Sequence, residues 1–516
     1  MAGFARALAV GLLGVQGRVV EVEAHLAQGL PGLVITGLPD AAVVQARDRV
    51  RAAVLNSGQR WPDQRMTVGL GPAWLPKHGT AFDLAMAMAI LAAAGAAPPV
   101  ALDGLALIGE LGLDGRVRPV RGVFPSVAAG AAAGVSRFVV PAANWSEAAL
   151  VPGVEVVGRR TLRGVLAVLR GEEAPPEESE PGPAVVAGDQ LRPDAAENGD
   201  LADVVGQESG RRAVEVAAAG GHHLALFGPP GAGKTMLAER LPGVLPPLGE
   251  AAAVEVTAVH SVAGILPVGS GLVRRAPYQA PHHTATVASL VGGGSGLARP
   301  GAVSLAHHGV LFLDESPEFS PRALDALRQP VERGEVVLAR AGGVVRYPAR
   351  VQLVLAANPC PCATAAGDRA CTCTPQARRR YLGRLSGPLL DRIDLRVTLL
   401  PVASAALHAD LDRPEPSQVV AGRVVEARAA SVERWGHLGW SSNAGAPGPA
   451  LRTEWRLPRS VTLAAAHAVD QGELSARGYD RVLRVAWTLA DLAGRPAPDE
   501  GDVNEALELR RGQVPA

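Results

Sequence analysis

The sequence predicts an α/β chain in which a parallel-sheet module is preceded by a separate α/β domain and followed by a helical segment. Three observations lead there. Residues 1–170 alternate short β-like runs with Ala-rich helices. An acidic, Pro-rich stretch then breaks the pattern. Beyond it strands and helices alternate again, and the first apolar strand runs directly into GPPGAGKT, Gly228–Thr235.

Composition sets the outer bounds. A chain of 516 residues suits about three domains, and 48% hydrophobic residues exclude general disorder. The formal net charge is zero, so no global basic field points to nucleic acid; any DNA contact must come from local loops. All four cysteines lie within Asn358–Cys373, too few and too close for a secreted disulfide framework, and a reducing cytoplasm fits them better. The opening MAGFARALAVGLLGVQG carries an apolar stretch after Arg6. It runs straight into the alternating VVEVEAHL and is read as a strand rather than a cleaved leader. No apolar stretch of transmembrane length free of charge or Pro/Gly breaks follows.

In chain order, residues 1–170 hold the β-like runs RVVEVEAHL, GLVITGL, RMTVGLGP and SRFVVPA around the helix AFDLAMAMAILAAAG. Between Glu172 and Pro183 stand five Glu and four Pro, a composition that cannot bury a core, so 171–199 is a flexible linker. Residues 200–400 form the parallel-sheet module. Residues 401–516 are mostly helical, broken by a Gly/Pro/Asn stretch at Ser441–Pro449.

The chemistry concentrates in the middle module. In Gly228, Pro229, Pro230, Gly231, Ala232, Gly233, Lys234 and Thr235 the glycines let backbone N–H groups curl around phosphate oxygens at a helix N-terminus. Lys234 is a compact charge for the β and γ phosphates. It is one of only two lysines, with Lys77, among 50 basic residues, so it stands against a strong bias to Arg. Thr235 would offer its hydroxyl to Mg2+. GVLFLDE ends a strand in two carboxylates, Asp314 for Mg2+ and Glu315 to polarise the attacking water. A third strand, VQLVLAAN, ends at Asn358, an amide placed to hold that water and sense the γ-phosphate.

Together these stretches resemble the YifB/ComM family of magnesium-chelatase-like AAA+ ATPases. GQESGRRAVEVAAAGGHHLALFGPPGAGKT, APHHTATVASLVGGG, PGAVSLAHHGVLFLDE, RAGGVVRYPARVQLVLAANPCPC, GPLLDRIDL and LSARGYDRVLRVAWTLADL carry the resemblance. It implies an AAA+ P-loop core like the ChlI subunit with a helical lid, ATP and Mg2+ as cofactors, and a homo-hexameric ring with ATP between subunits. Arg392 would be the finger for the neighbour's γ-phosphate and Arg477 the second-sensor arginine of the lid. The hairpin of Glu335–Ala349 would line the pore, with Arg340 and Arg346 as DNA-contact candidates. Relatives of the ComM type are implicated in branch migration during recombination of incoming DNA in natural transformation. A motor on branched or single-stranded DNA is the leading expectation. Protein remodelling without DNA, as in the magnesium chelatase motor subunit, is the alternative.

Residues 1–170 resemble the Lon-protease domain (ribosomal S5 domain 2-like). In LPKHGTAFDLA, Ala81 stands where the Ser nucleophile would be, and Phe124 replaces the Lys base. Thr80 is a neighbouring hydroxyl without a base, so proteolysis is not expected. Cys360, Cys362, Cys371 and Cys373 form C-x-C-x8-C-x-C, which suits either a Zn2+ site or free thiols. His282 and His283, adjacent on an assumed strand, would point apart. With His222 and His223 they are read as structural rather than metal ligands.

Overall fold

The computed structural model describes residues 3–173, 175, 199–294, 298–340, 343–362, 371–401 and 414–512. Almost all of the expected linker lies outside them. The N-terminal unit is a seven-stranded mixed sheet in the order Gly32–Thr36, Arg65–Gly71, Gln16–Ala27, Gly3–Leu13, Leu105–Leu107, Arg137–Pro141 and Glu155–Arg159. The opening segment is indeed a strand: Gly3–Leu13 pairs antiparallel with Gln16–Ala27 along its whole length. Helix Asp83–Ala93 crosses this sheet and is buried nearly all round, which is why its sequence is apolar on every face.

The second sheet is the scaffold of the site. Its five strands are all parallel, in the order Tyr278–Gln279, Val310–Leu313, Gln352–Ala357, Leu224–Phe227 and Leu395–Thr398. The three central strands read as unbroken apolar runs because helices cover both faces. Strand order reverses beside Leu224–Phe227, and the crevice at the carboxyl ends of strands flanking such a switch is where open α/β sheets bind ligands.

The lid comprises helices Ser417–Trp435, Arg459–Asp470, Ala476–Leu492 and Glu500–Arg511. At its centre Arg434 donates to both Asp491 oxygens and lies 5.6, 5.9 and 4.2 Å from the ring centroids of Trp435, Trp455 and Trp487. The ion pair is desolvated and roofed by aromatic faces.

The N-terminal and ATPase units share contacts. Helix Glu250–Ala263 of the ATPase unit packs against helix Val123–Ala132 of the N-terminal one. The Ser261 hydroxyl donates to Glu147, and the Ser261 carbonyl accepts the Gly122 N–H at 3.1 Å. Ala258 and Leu272 fit against the N-terminal core, while Leu13 and Val15 reach into the ATPase core. The expected hairpin forms, Glu335–Arg340 pairing with Gly343–Pro348, and it abuts the first N-terminal turn. A Cβ on Gly14 would lie 2.8 Å from the Arg346 carbonyl oxygen. On the far side of the helix, Glu255 Oε2 accepts from His307 Nε2 at 2.8 Å and meets His308 Nε2 at 3.1 Å. His307 Nδ1 already accepts the Arg350 N–H, so its Nε2 carries the proton; the cluster is a hydrogen-bonded clasp rather than a ligand set for a cation.

Replacing Arg434 with Ala strands a buried carboxylate, and denaturant melts are expected to show a loss of about 3–5 kcal/mol. Leu463→Ala, on an exposed lid face, should stay within about 0.5 kcal/mol.

Candidate nucleotide-binding site

Local chemistry builds the site from the phosphate loop outward. Gly231 and Gly233 take φ of +78° and +85°, a region that penalises any Cβ, and the helix Lys234–Val244 starts at the loop's end. The Lys234 side chain folds back under the loop. Its Nζ donates to the carbonyls of Gly228 and Pro229 at 2.8 and 2.9 Å, and to Asn358 Oδ1 at 3.0 Å. Only 8% of the residue is exposed. Burial lowers its pKa from the ordinary value, while the charges of Asp314 and Glu315 pull the other way. Lys234 and Asn358, 124 residues apart, therefore meet at the tips of two neighbouring parallel strands.

One strand further on, Thr235 Oγ1 donates to Asp314 Oδ2 at 2.8 Å. A hydroxyl and a carboxylate oxygen in contact are the hard-oxygen donors that suit Mg2+, so the residues fit the ion the sequence implies. Asp314 Oδ1 accepts the Glu315 N–H at 2.8 Å, and Glu315 itself sits at φ +47°, a conformation that non-glycine residues seldom adopt. Its carboxylate is half exposed and faces the open end of the crevice.

His283 is the residue sequence reasoning missed. The two histidines follow strand Tyr278–Gln279 instead of lying on it, and their rings lie side by side, tilted by 35° with centroids 4.0 Å apart, rather than pointing apart. This places His283 Nδ1 3.3 Å from Glu315 Oε2. The only signal in the sequence is the position of HH just after an edge-strand segment, which does not specify a partner. His222 is structural, as expected: it is fully buried with Nε2 2.7 Å from Thr488 Oγ1.

Arg392 and Arg477 lie elsewhere. Strand Leu395–Thr398 runs parallel and in register with Leu224–Phe227, so Arg392 precedes the amino end of the sheet whereas the phosphate loop follows its carboxyl end. Arg392 Nη2 pairs with Glu332 at 2.5 Å and Nη1 donates to the Pro388 carbonyl at 2.6 Å. The hydrogen bond from Arg392, aided by the field of Arg477, holds the Glu332 carboxyl below the usual range. Both arginines thus gather at one carboxylate, remote from the chain's own Lys234. On the hairpin, Arg346 pairs with Glu335 at 3.0 Å. The side chain of Arg340 and the turn beyond it lie outside the described residues.

The cysteines converge. Sγ of Cys360 lies 3.0 Å from Cys362 and 3.3 Å from Cys371, and all four sulfurs fall within 4.8 Å of one another. Four thiols converging on one point are the donor type and number of a tetrahedral Zn2+ site, so the donor set suits the ion. In the N-terminal unit Phe124 is buried and its N–H donates to Glu147 Oε1 at 3.0 Å. Thr80 donates to Glu110 Oε2, and Lys77 donates to the Pro72 carbonyl rather than to Thr80.

Comparison with known proteins agrees with this geometry. The family described as magnesium chelatase, subunit ChlI, matches residues 200–407; its ChlI C-terminal region matches 414–510, and a further ChlI-subunit family matches 22–144. The fold is that of a magnesium-chelatase-like AAA+ protein, and no described helix is long and apolar enough to cross a membrane. A Mycobacterium tuberculosis protein is 53% identical over 506 residues, covering 98% of each chain. YifB of Escherichia coli is 40% identical over 498 residues, 96% of this chain and 95% of its own. Competence protein ComM of Haemophilus influenzae is 39% identical over 502 residues, 96% of each. The chain belongs to the YifB/ComM family. Lon protease 2 of Bacillus subtilis is similar over 164 residues at 34% identity, 28% of this chain.

A Cβ on Gly231 would meet nothing within 4 Å, so its φ alone opposes substitution. Gly231→Ala should cost about 1–2 kcal/mol of loop strain, read as roughly tenfold weaker binding of a fluorescent ATP analogue.

Proposed function

We propose that this protein is an ATP-hydrolysing ring motor that acts on DNA. The observation that carries the reading is the convergence of Lys234, Asn358, Thr235, Asp314 and Glu315 at the carboxyl ends of adjacent parallel strands. On nucleotide binding, Lys234 exchanges loop carbonyls for phosphate oxygens, keeping an acceptor for its buried charge throughout. Thr235 and Asp314 would hold Mg2+, which when bound neutralises phosphate charge. Glu315 accepts the proton of the attacking water, and Asn358, in contact with Lys234, orients that water. The position of Arg392 at the opposite end of the sheet suits a finger for the next subunit of a ring; the family resemblance makes that ring a homo-hexamer, and the few, clustered cysteines suit the cytoplasm. Arg477, on the same side, fits a second sensor for that neighbouring site.

DNA enters this reading through the name of the relative, competence protein ComM, and through the hairpin. Arg346 is exposed, and surface ion pairs such as the one with Glu335 are weak enough for phosphate to displace. The same pairing, with zero net charge, also suits the second reading, a protein-remodelling motor. Proteolysis is not part of the proposal, since Phe124 and Ala81 leave apolar groups where a base and nucleophile would stand. The four cysteines are proposed to hold one Zn2+ that ties the segment between Asn358 and Arg392.

Hydrolysis measured with and without four-way junction, single-stranded and duplex DNA separates the readings. Glu315→Gln should lower kcat by about 10²–10⁴-fold with ATP affinity nearly unchanged. Wild-type hydrolysis that ignores all three DNAs, with no junction movement, would sink the DNA reading. Arg340→Glu with Arg346→Glu should erase DNA stimulation and leave DNA-free hydrolysis intact; an equal fall in both would make the hairpin structural. Metal analysis should find about one zinc per chain, lost on Cys360→Ser with Cys371→Ser. Less than about half an equivalent in the wild type would make the cluster a thiol loop.

A further inference from the structure

The loop bearing Arg392 is held from the lid on both sides. Before and after the arginine, Arg510 of the last helix donates Nη2 to the Asp391 carbonyl at 3.4 Å and to Asp391 Oδ1 at 3.3 Å, and Nη1 to the Ile393 carbonyl. Just beyond, Arg481 of helix Ala476–Leu492 donates to Asp394 Oδ1 at 2.5 Å. Asp394 is buried, and its other oxygen accepts the His223 N–H at 3.0 Å, at the foot of the strand that leads into the phosphate loop. Burial opposes charge on Asp394, yet Arg481 and His222 hold its carboxyl well below the ordinary range, so it stays an anion. Arg477 lies one turn before Arg481 on the same helix. Among the described residues the bonds of the Arg392 guanidinium go to Pro388 and Glu332, not to the lid.

We propose that Arg481 and Arg510 are positioning residues for Arg392, fastening the lid to the finger loop so that the pose of one subunit's lid sets how its finger meets the ATP of the next. The inference rests on the reading of Arg392 as a finger acting on a neighbour. Its physical basis is restraint: the planar fork of Arg510 grips the residues on either side of Arg392, and Arg481 pairs with Asp394 just beyond, so the loop is tied to the lid at both points. A displacement of about 1 Å at such a group costs on the order of 10²-fold in rate.

Subunit mixing tests both layers with full-length chains. One chain carries Arg392→Ala, so its site is complete but it offers no finger. The other carries Glu315→Gln, so it offers a finger but cannot hydrolyse. Mixing the two should restore hydrolysis; if it restores none, the finger reading fails and the inference falls with it. Arg510→Gln or Arg481→Gln is then placed in either chain. In the finger donor each should cut the restored rate by roughly tenfold or more, with KM within twofold. In the acceptor, which has no finger to position, the same change should cost less than about twofold. Arg481→Lys in the donor keeps the charge pair and should retain most of the rate. Equal losses from either chain, or no loss from the donor, would overturn the proposal. Thermal melts and fluorescent nucleotide binding to each donor confirm that it is folded; if the Gln variants are not, Arg510→Lys, which keeps the charge but cannot hold Asp391 and Ile393 together, serves as the test and should cut the restored rate from the donor and not from the acceptor.

Discussion

A buried ammonium cannot be left without acceptors, and Lys234 is where that rule shapes this molecule. Its charge is shared among two loop carbonyls and the amide of Asn358. That sharing draws the phosphate loop onto the tip of the neighbouring strand. The parallel sheet makes it possible, because parallel pairing brings the ends of Leu224–Phe227, Gln352–Ala357 and Val310–Leu313 to one edge. Asp314 then meets Thr235, and Glu315 is presented beyond them on a backbone turn of its own.

The opposite edge of the same sheet is governed by an anion. Asp394 is the counterpart of Lys234: buried, charged and shared among groups from the core and the lid. Two poles of opposite sign therefore stand at the two ends of strands only four residues long. One pole gathers the phosphate loop, the other the loop that carries Arg392. The zero net charge of the chain conceals this separation.

Much of this was legible in the sequence because it is local. GPPGAGKT, GVLFLDE and VQLVLAAN each announce a strand and the residue at its tip, and the hairpin shows as two β-like runs around a glycine turn. The opening strand was legible from alternation alone. What sequence could not supply were pairings set by tertiary packing. Arg481 and Asp394 are 87 residues apart, and Arg510 and Ile393 are 117 apart. Nothing in the periodicity of a helix says which distant carbonyl its arginine will reach. The histidines mislead for a related reason: a strand-like neighbourhood suggests that their rings diverge, whereas the chain has already left the strand and sets them side by side near Glu315.

Helix Glu250–Ala263 has one more implication. One of its ends is seated on the N-terminal unit through Ser261, and its middle is clasped by the histidines just ahead of the strand that ends in Asp314 and Glu315. Ala258, Leu272, Leu13 and Val15 lie in cores that both units build. The two units are thus a single solvent-excluding body rather than a motor with an appendage. A chain cut at the linker would uncover apolar surface on both halves. Residues 3–170 and 200–401 are therefore held to one another by their own surfaces.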